Sequence, residues 1–362
     1  MAVQAAPGHF AYVLHGIPLL LDFEAPDWLP AADMSATAVG QDDTWTVSLD
    51  GTASELTGVA APTDGSAHWW WSDDEQRSQR LTMLGPADDG TAAAVRFTLD
   101  FDVRRIAVEY TEGRRDLRPV TDLLSRWFVP QIARRHGALP VHATAVTTGD
   151  RTIIICGPSG SGKSTTTAAL SRYAWDVLAD EPVLLWGQQQ PGGQVSIWPG
   201  GRNLRVERSA LVALGHPLAS SAPEDPYGKC LVPTDACESH PAALSEIWHL
   251  APRLPAGHDD EAADAASGRR PTATPPTHPI ADLLGPGAAA TTALMAQRYA
   301  RADYAPHIRA DFPRAAAITS QVPSLRVALP DDLGQLMSHV AQLATTTTQA
   351  AEGFAGRSPS AR

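Results

Sequence analysis

A glycine-rich segment near the middle of the chain has the residue types and the spacing that bind phosphate. It reads Gly157-Pro158-Ser159-Gly160-Ser161-Gly162-Lys163-Ser164, which fits the pattern G-x-x-x-x-G-K-[ST] at every position. In such a loop, backbone N–H groups converge on an anion, and Gly160 and Gly162 let the backbone approach it closely. Lys163 supplies a charge to the β- and γ-phosphates, and Ser164 supplies a hydroxyl to Mg²⁺. The predicted nucleotide contacts are Gly157, Ser159, Gly160, Ser161, Gly162, Lys163, Ser164 and Thr165.

The segments around this loop favour a phosphate-binding turn over a chance glycine cluster. Residues 153–155 are three isoleucines, long enough for a buried parallel strand, and residues 165–170 can open a helix. Strand, loop and helix in this order aim the helix dipole at the anion. Cys156 lies in the strand and reads as a buried apolar residue, not as a nucleophile. We therefore predict a site for ATP or another nucleoside triphosphate with Mg²⁺.

An acidic pair follows the predicted phosphate-binding helix. Asp180 and Glu181 lie 17 and 18 residues after Lys163, close to the minimum for a strand–helix–strand return. One carboxylate can hold Mg²⁺ and the other can accept a proton from a substrate hydroxyl. The alternative is an exposed acidic turn. His142 lies in a predicted strand over residues 141–146, and from the residues alone it reads as a core histidine.

These segments together resemble the HPr serine kinase family, especially the short HPr-kinase-like proteins that include kinases of lasso-peptide precursors. The resemblance rests on the order of His142, the loop at 157–164 and the pair Asp180-Glu181, and it echoes the phosphoenolpyruvate carboxykinases. It implies that Asp180 acts as a base and that His142 positions the transferring phosphoryl group, with Lys163 as the third catalytic residue. It also implies a metal site of Ser164, Asp180 and Glu181, where Glu181 replaces the family's usual second aspartate.

Later segments of the chain are similar to the same family. Arg202, Arg205 and Lys229 are candidate contacts to phosphate or substrate, although each taken singly reads equally well as a solvated surface charge. The Glu-x-Arg-Gly-Leu-Gly motif of the bifunctional HPr kinases is not found in the sequence. Its absence argues against HPr itself as the substrate and against the reverse phosphorylase reaction.

The pattern along the chain predicts two domains of the α/β class. Residues 1–115 read as a β-rich domain for substrate recognition, and 116–345 as a P-loop core like that of HPr kinase and phosphoenolpyruvate carboxykinase. A helix is expected over 118–136, and another from 282 to about 304. A mobile insertion is predicted at 255–280 and a disordered tail at 346–362.

Three consecutive tryptophans, Trp69, Trp70 and Trp71, lie between turn-rich segments of the β-rich part. One interpretation is a surface patch for a peptide partner. The other is a β-strand whose alternate rings fill the core, since aromatic residues favour strands.

The composition narrows the classes of function. The 362 residues include 28 basic and 40 acidic side chains, a net charge of −12, so nucleic acid is not expected as a partner. Three scattered cysteines give no disulfide framework, and no apolar run is long enough to span a membrane, so we expect a cytoplasmic protein. A homo-oligomer fits the family resemblance.

The sequence thus predicts an ATP- and Mg²⁺-dependent kinase acting on a serine or threonine hydroxyl of a peptide or protein, for example a natural-product precursor peptide. Two alternatives stay open. One is a small-molecule hydroxyl kinase of the same fold, and the other is a non-catalytic nucleotide-binding regulatory module.

Overall fold

A computed structural model describes most of the chain. The described residues are 4–6, 8–25, 28, 37–52, 68–74, 78–86, 92–110, 117–148, 150–187, 193–225, 228–234, 240–251, 280–299, 305–330, 335–338 and 340. The predicted tail at 346–362 lies outside these residues, as does the predicted insertion at 255–280 apart from its last residue.

The described chain contains both strands and helices, and eight strands precede the first α-helix. The strands are β1 (Gln4–Ala6), β2 (His9–Leu14), β3 (Ile17–Leu21), β4 (Trp45–Thr52), β5 (His68–Asp74), β6 (Ser78–Pro86), β7 (Ala92–Asp100), β8 (Arg105–Tyr110), β9 (Leu139–Val141), β10 (Ala143–Thr147), β11 (Thr152–Cys156), β12 (Asp176–Asp180), β13 (Val183–Trp186), β14 (Ser196–Ile197), β15 (Asn203–Val206), β16 (Cys230–Pro233), β17 (Ala242–Leu250), β18 (Ile280–Leu284) and β19 (Ser324–Ala328). The helices are α1 (Arg118–Leu123), α2 (Val129–Arg135), α3 (Lys163–Ser171), α4 (Arg208–Ala213), α5 (Ala288–Ala296) and α6 (Ala305–Thr319). The mixture of helices and mixed sheets confirms the α/β class.

The chain divides into two compact units. One contains Met1–His136 with the short pieces Trp198–Gly201 and Glu238–His240, and the other contains the remainder. The helical segment that holds α1 and α2 falls within the first unit. The functional division at residues 115 and 116 stays a prediction.

The first unit is built on one eight-stranded sheet, in the order β1-β2-β3-β4-β8-β7-β6-β5. Its β4 runs parallel to both β3 and β8, and the other neighbours are antiparallel. The Phe97 ring of β7 stacks on Phe128 with the centroids 4.8 Å apart. The predicted helix at 118–136 is confirmed, with a π-helical turn at Leu124–Phe128 between α1 and α2. Pro130, which has no N–H to donate, follows this turn.

The tryptophan run forms part of β5, the last strand in that order. Trp69, Trp70 and Trp71 pair with Met83, Thr82 and Leu81 of β6. The strand prediction is confirmed. Whether the rings fill a core or form a surface patch lies outside what the structure describes, so both interpretations remain.

A mixed sheet organises the second unit. Its path runs β12-β10-β11-β17-β14-β13-β9, and β19 also pairs with β17 and carries β18. β11 lies between an antiparallel neighbour, β10, and a parallel one, β17. The predicted strand at 141–146 is interrupted, because β9 ends at Val141 and β10 begins at Ala143. The helix predicted from 282 to 304 is wrong in part, since β18 extends to Leu284 and α5 covers only Ala288–Ala296.

Apolar side chains cover both faces of β11. Ile153 and Ile155 join Leu170 of α3 and Trp248 of β17 in one buried cluster. Ile154 and Cys156 join Ile247 of β17, Ala315 and Ile318 of α6 and their neighbours in another. The alternation of a strand explains this division, because successive side chains point to opposite faces. The run of isoleucines therefore fixes the strand between two helical layers.

A buried ion pair lies near the amino end of β11. Arg151 donates from Nη2 to Oε1 of Glu246 at 2.7 Å and from Nε at 3.1 Å. Trp248 donates from its indole nitrogen to the other oxygen of Glu246 at 2.9 Å. The guanidinium carbon of Arg151 lies 5.7 Å from the ring centroid of Trp175. Both carboxylate oxygens of this buried glutamate therefore have partners.

Across the described ranges, no helix combines the length and the apolar character required to cross a bilayer.

Candidate functional site

The predicted phosphate-binding loop connects β11 to α3, as its pattern requires. Gly160 and Gly162 have φ angles of +79° and +94°, a region that favours glycine. A Cβ atom at Gly157 would lie 2.5 Å from Oγ of Ser161 and 3.2 Å from Cβ of Leu250, so the loop closes tightly there. Ser159 and Gly160 are exposed at the tip, whereas Ser164 and Thr165 are half-buried in the first turn of α3. The glycines are thus required by backbone geometry.

The loop offers hydrogen-bond donors that fit an anion. Ser161 is buried, and within the described chain its Oγ has no hydrogen-bond partner. Gly162 precedes α3 and provides no side-chain cap for the first-turn N–H groups. Lys163 is buried and donates from Nζ to the carbonyl oxygens of Gly157 at 2.9 Å and Pro158 at 3.3 Å. Burial lowers the pKa of Lys163, and Glu181 acts in the opposite direction. These groups match the chemistry of a polyphosphate.

Asp180 is the last residue of β12 and lies beside β10, where it pairs with Thr144. Its Oδ2 accepts the backbone N–H of Arg205 at 2.9 Å. Burial raises the pKa of the Asp180 carboxyl to about 6, and the charge of Glu181 adds to this effect. The Arg205 hydrogen bond and the charges of Arg205 and Lys229 oppose it. A carboxyl that titrates this close to neutral pH is suited to accept a proton.

His142 and Glu181 form a hydrogen-bonded pair. The distance from Nε2 of His142 to Oε1 of Glu181 is 2.7 Å. His142 lies in the gap between β9 and β10, and its backbone N–H donates to the carbonyl oxygen of Gln297 at 2.7 Å. Its ring lies 8° from parallel to the ring of Tyr299, with centroids 6.4 Å apart. Glu181 has a φ of +32° and donates its N–H to the carbonyl oxygen of Ala143. The carboxylate and the backbone together fix the imidazole.

The side chains at this site can provide only a few of the oxygen ligands of a Mg²⁺ ion. No group of three or more histidine, cysteine, aspartate or glutamate side chains suited to a metal occurs in the described part of the chain. Ser164 and the pair Asp180-Glu181 are therefore the available protein ligands. Mg²⁺ commonly takes one or two carboxylates and completes its shell with water and substrate phosphates. The bond from Glu181 to His142 occupies one of the candidate oxygens.

Two of the three predicted cations lie at this cluster. The charge of Lys229 influences both Lys163 and Asp180, and Arg205 contacts Asp180 through its backbone. Arg202 precedes β15, three residues before Arg205, which places it about 10 Å away along the strand. Its carbonyl oxygen accepts the N–H and the hydroxyl of Thr234. Arg205 and Lys229 thus belong to the candidate site, and Arg202 lies further along the two-stranded β15–β16 sheet.

Sequence reasoning missed several residues that shape the site. Asp225 is buried and its Oδ2 lies 3.2 Å from Nε of Arg205. The hydroxyls of Thr144 and Thr167 are 2.5 Å apart and join β10 to α3. Gln297 and Tyr299 contact His142 from a distant part of the sequence. Of these residues, only Asp225 could have been suggested by the sequence, because it is a charged residue close to Lys229 in a turn-forming segment.

No protein-family model matches the chain, and no curated protein matches its sequence.

Proposed function

We propose that this chain is an ATP- and Mg²⁺-dependent kinase that phosphorylates a serine or threonine hydroxyl of a peptide or protein. The observation that carries the proposal is the placement of Asp180 at the end of β12, where it pairs with Thr144. The hydroxyl of Thr144 lies 2.5 Å from that of Thr167, in the helix that begins with Lys163. Burial raises the pKa of Asp180 to about 6. A loop that fits a polyphosphate and a carboxyl suited to accept a proton meet at one edge of the sheet. Phosphoryl transfer to a hydroxyl requires both groups close together.

The loop from Gly157 to Thr165 would hold the phosphates, through its backbone N–H groups and the ammonium of Lys163. Ser164, with Asp180 or Glu181, would hold Mg²⁺. The bound nucleotide supplies the phosphoryl group. Asp180 accepts the proton of the acceptor hydroxyl as that oxygen becomes the nucleophile, which a carboxyl titrating near pH 6 can do at neutral pH.

His142 positions the reacting groups and is itself held by Glu181 at 2.7 Å. Arg205 and Lys229 offset the negative charge that spreads over the transferring group. The chain has a net charge of −12, so such cations must be supplied locally. The backbone N–H of Arg205 donates to Oδ2 of Asp180 at 2.9 Å, and the charges of both cations lower the pKa of that carboxyl.

The likeness of the 139–184 region to the HPr serine kinases supports a hydroxyl of a peptide or protein as the acceptor, and a core of the HPr-kinase type. A natural-product precursor peptide of the lasso class is the favoured substrate, because the later acidic motif of the HPr-specific enzymes is not found. The β-rich first part of the chain would help to hold this peptide. A cytoplasmic location follows from the same proposal.

The test is a transfer assay with radiolabelled ATP and Mg²⁺. The purified chain is presented with precursor peptides that end in serine, with an HPr-like protein and with a panel of hydroxylated metabolites. We expect label on peptide serine, and far less label with the Asp180→Asn variant. Label on metabolites alone would favour the small-molecule alternative, and tight nucleotide binding without any transfer would favour the regulatory one.

A further inference from the structure

The carboxylate of Asp225 is the centre of a tight turn before β16. Its Oδ1 accepts the backbone N–H of Lys229 at 2.9 Å, and the backbone N–H of Asp225 donates to the carbonyl oxygen of Lys229 at 2.8 Å. Gly228 donates to the carbonyl oxygen of Asp225 at 3.0 Å. The side chain of Asp225 is only 2% exposed. A carboxylate this deeply buried is costly unless it is paired.

Arg205 supplies the paired charge and connects two carboxylates. Its Nε lies 3.2 Å from Oδ2 of Asp225, and its backbone N–H donates to Oδ2 of Asp180 at 2.9 Å. The neighbours Leu204 and Val206 are buried in the core, so the alternation of β15 directs Arg205 to the other face. The guanidinium is held on one side by Asp225 and is anchored through its own backbone to the proposed base.

We propose that Asp225 is a positioning residue for phosphoryl transfer, which holds the cations of Arg205 and Lys229 beside Asp180. The inference rests on the proposed kinase function and names a residue outside the phosphate-binding motif. Arg205 has many rotamers and Lys229 lies on a turn, so neither cation has a fixed position without a partner. One buried carboxylate contacts both residues: the guanidinium of Arg205 and the backbone N–H of Lys229, which holds the turn from which the lysine side chain extends.

This arrangement predicts an effect on the transition state and not on binding of the donor. Negative charge spreads over the transferring group as it moves, and fixed cations are most valuable at that moment. Loss of an interaction made only in the transition state lowers kcat and leaves KM unchanged. If Asp225 were only a structural residue, its replacement would lower the stability of the protein and leave kcat of the folded enzyme unchanged.

The chain offers a matched control in Glu246, another buried carboxylate paired with an arginine, near the amino end of β11. We expect Asp225→Asn to lower kcat about thirtyfold, with KM for ATP changed less than about threefold. The turn itself should survive this change, because the amide of the variant side chain retains an oxygen that can accept the Lys229 N–H. Glu246→Gln should lower stability and keep kcat within about twofold of wild type. Equal losses of kcat in both variants, or none in Asp225→Asn, would overturn the inference.

Two further variants distinguish a positioning role of Asp225 from a role in folding alone. Asp225→Glu restores the charge and should recover most of kcat. If Asp225 acts largely through Arg205, the double variant Asp225→Asn/Arg205→Gln should lose no more than about threefold beyond Arg205→Gln alone. The double variant also leaves no unpaired buried charge, which makes it the safer variant to fold. Fully additive losses would contradict the inference.

A measurement on the nucleotide-free protein tests the role of Asp225 separately from the proposed kinase function. Nitrogen-15 relaxation of the Arg205 Nε–H group in the free protein should show an ordered side chain in wild type and in Glu246→Gln, and a mobile one in Asp225→Asn. An unchanged signal in Asp225→Asn would overturn positioning by itself. Absence of transfer by the wild type to every acceptor would instead overturn the kinase function, whatever the relaxation data show.

Discussion

Each end of β11 lies near a carboxylate that contacts an arginine, but the surroundings of these two carboxylates differ. Near the amino end, Glu246 has partners on both oxygens, from Arg151 and from Trp248. At the carboxyl end, Asp180 is crowded by Glu181, and burial raises its pKa to about 6. The first carboxylate is satisfied by its neighbours, whereas the second is held in a state that favours proton uptake.

This difference separates charges that stabilise the fold from charges that are suited to chemistry. A fully paired buried ion is a structural element, and its loss is felt in the free energy of unfolding. A carboxyl whose ionised form is disfavoured gains from taking up a proton, which is the property that a general base requires. The same sheet therefore combines a structural end and an end that we propose to be the reactive one.

The strongest test of the reactive end is Asp180→Asn. We expect phosphoryl transfer to fall about a thousandfold, since the amide cannot accept the hydroxyl proton. Nucleotide binding, which depends on Lys163 and its loop, should stay within about threefold by titration with a fluorescent nucleotide. A transfer rate within about tenfold of wild type would show that Asp180 is not the base. The distinction between a structural and a reactive end of β11 would then be wrong.

The matching test of the structural end is Arg151→Met, which leaves Glu246 buried without its cation. Removal of one partner of a buried ion pair should lower the free energy of unfolding by about 3 kcal/mol. Urea denaturation measures this loss. Below the unfolding transition, kcat should remain within about twofold of wild type, and a large fall in kcat would show that the two ends are coupled.

A smaller effect is expected from Glu181→Gln, which weakens the hold on His142. The imidazole loses its charged acceptor, and we expect kcat to fall about tenfold to thirtyfold by analogy with other residues that orient a functional histidine. Steady-state kinetics at saturating ATP provide the measurement. Tyr299→Phe retains the ring beside His142 and should keep kcat close to that of wild type, so a similar loss in both variants would point to general disruption of this region.

The pH dependence gives a further test of the reactive end. Because Asp180 must be ionised to accept a proton, kcat/KM should fall as the pH drops below about 6. The pKa of about 6 in the folded chain exceeds the ordinary value of 3.8, so ionisation disfavours the folded state above pH 6 and has no such effect below 3.8. Asp180→Asn should therefore raise Tm by a few degrees at about pH 8 and by nothing near about pH 3.5. Thermal unfolding at both pH values checks the sign.

The smallest expected effect concerns Cys156, which directly precedes the loop at the reactive end. Burial raises the pKa of its thiol to about 12, so at neutral pH it is neither ionised nor nucleophilic. Cys156→Ala should keep kcat within about twofold and lower the unfolding free energy by about 1 kcal/mol. Fast alkylation of Cys156 in the native protein, measured by mass spectrometry, would contradict this assignment.

The sequence predicted the parts of the site that are local in the chain. The loop before α3 was recognisable because its glycines must adopt positive φ angles and its lysine must follow at a fixed spacing. Asp180 was recognisable because a strand, a helix and a returning strand require about that many residues. The strand break at His142 was not predicted, since at this position the backbone N–H of His142 bonds to the carbonyl of Gln297, a residue distant in the sequence.

The partners of Arg205 were not predictable for a similar reason. Asp225 meets Arg205 only through the pairing of β15 with β16, where Arg205 lies opposite Leu231. The register of these two strands depends on their buried faces, because residues 207–229 separate them in the chain and no tight turn fixes the pairing. A one-residue slip would move every side chain of a strand to the opposite face. A single sequence does not specify that register strongly enough to place two charges within 3.2 Å.

The bond between His142 and Gln297 also has a consequence for the order of synthesis. A ribosome completes the phosphate-binding loop, Asp180 and Glu181 long before it reaches Gln297 or the late strand β19. Chains fold from the amino end as they emerge, so an early nascent chain carries every charge of the site without the carbonyl that fixes the histidine. We therefore expect the position of His142 to be among the last features to form when the protein is made.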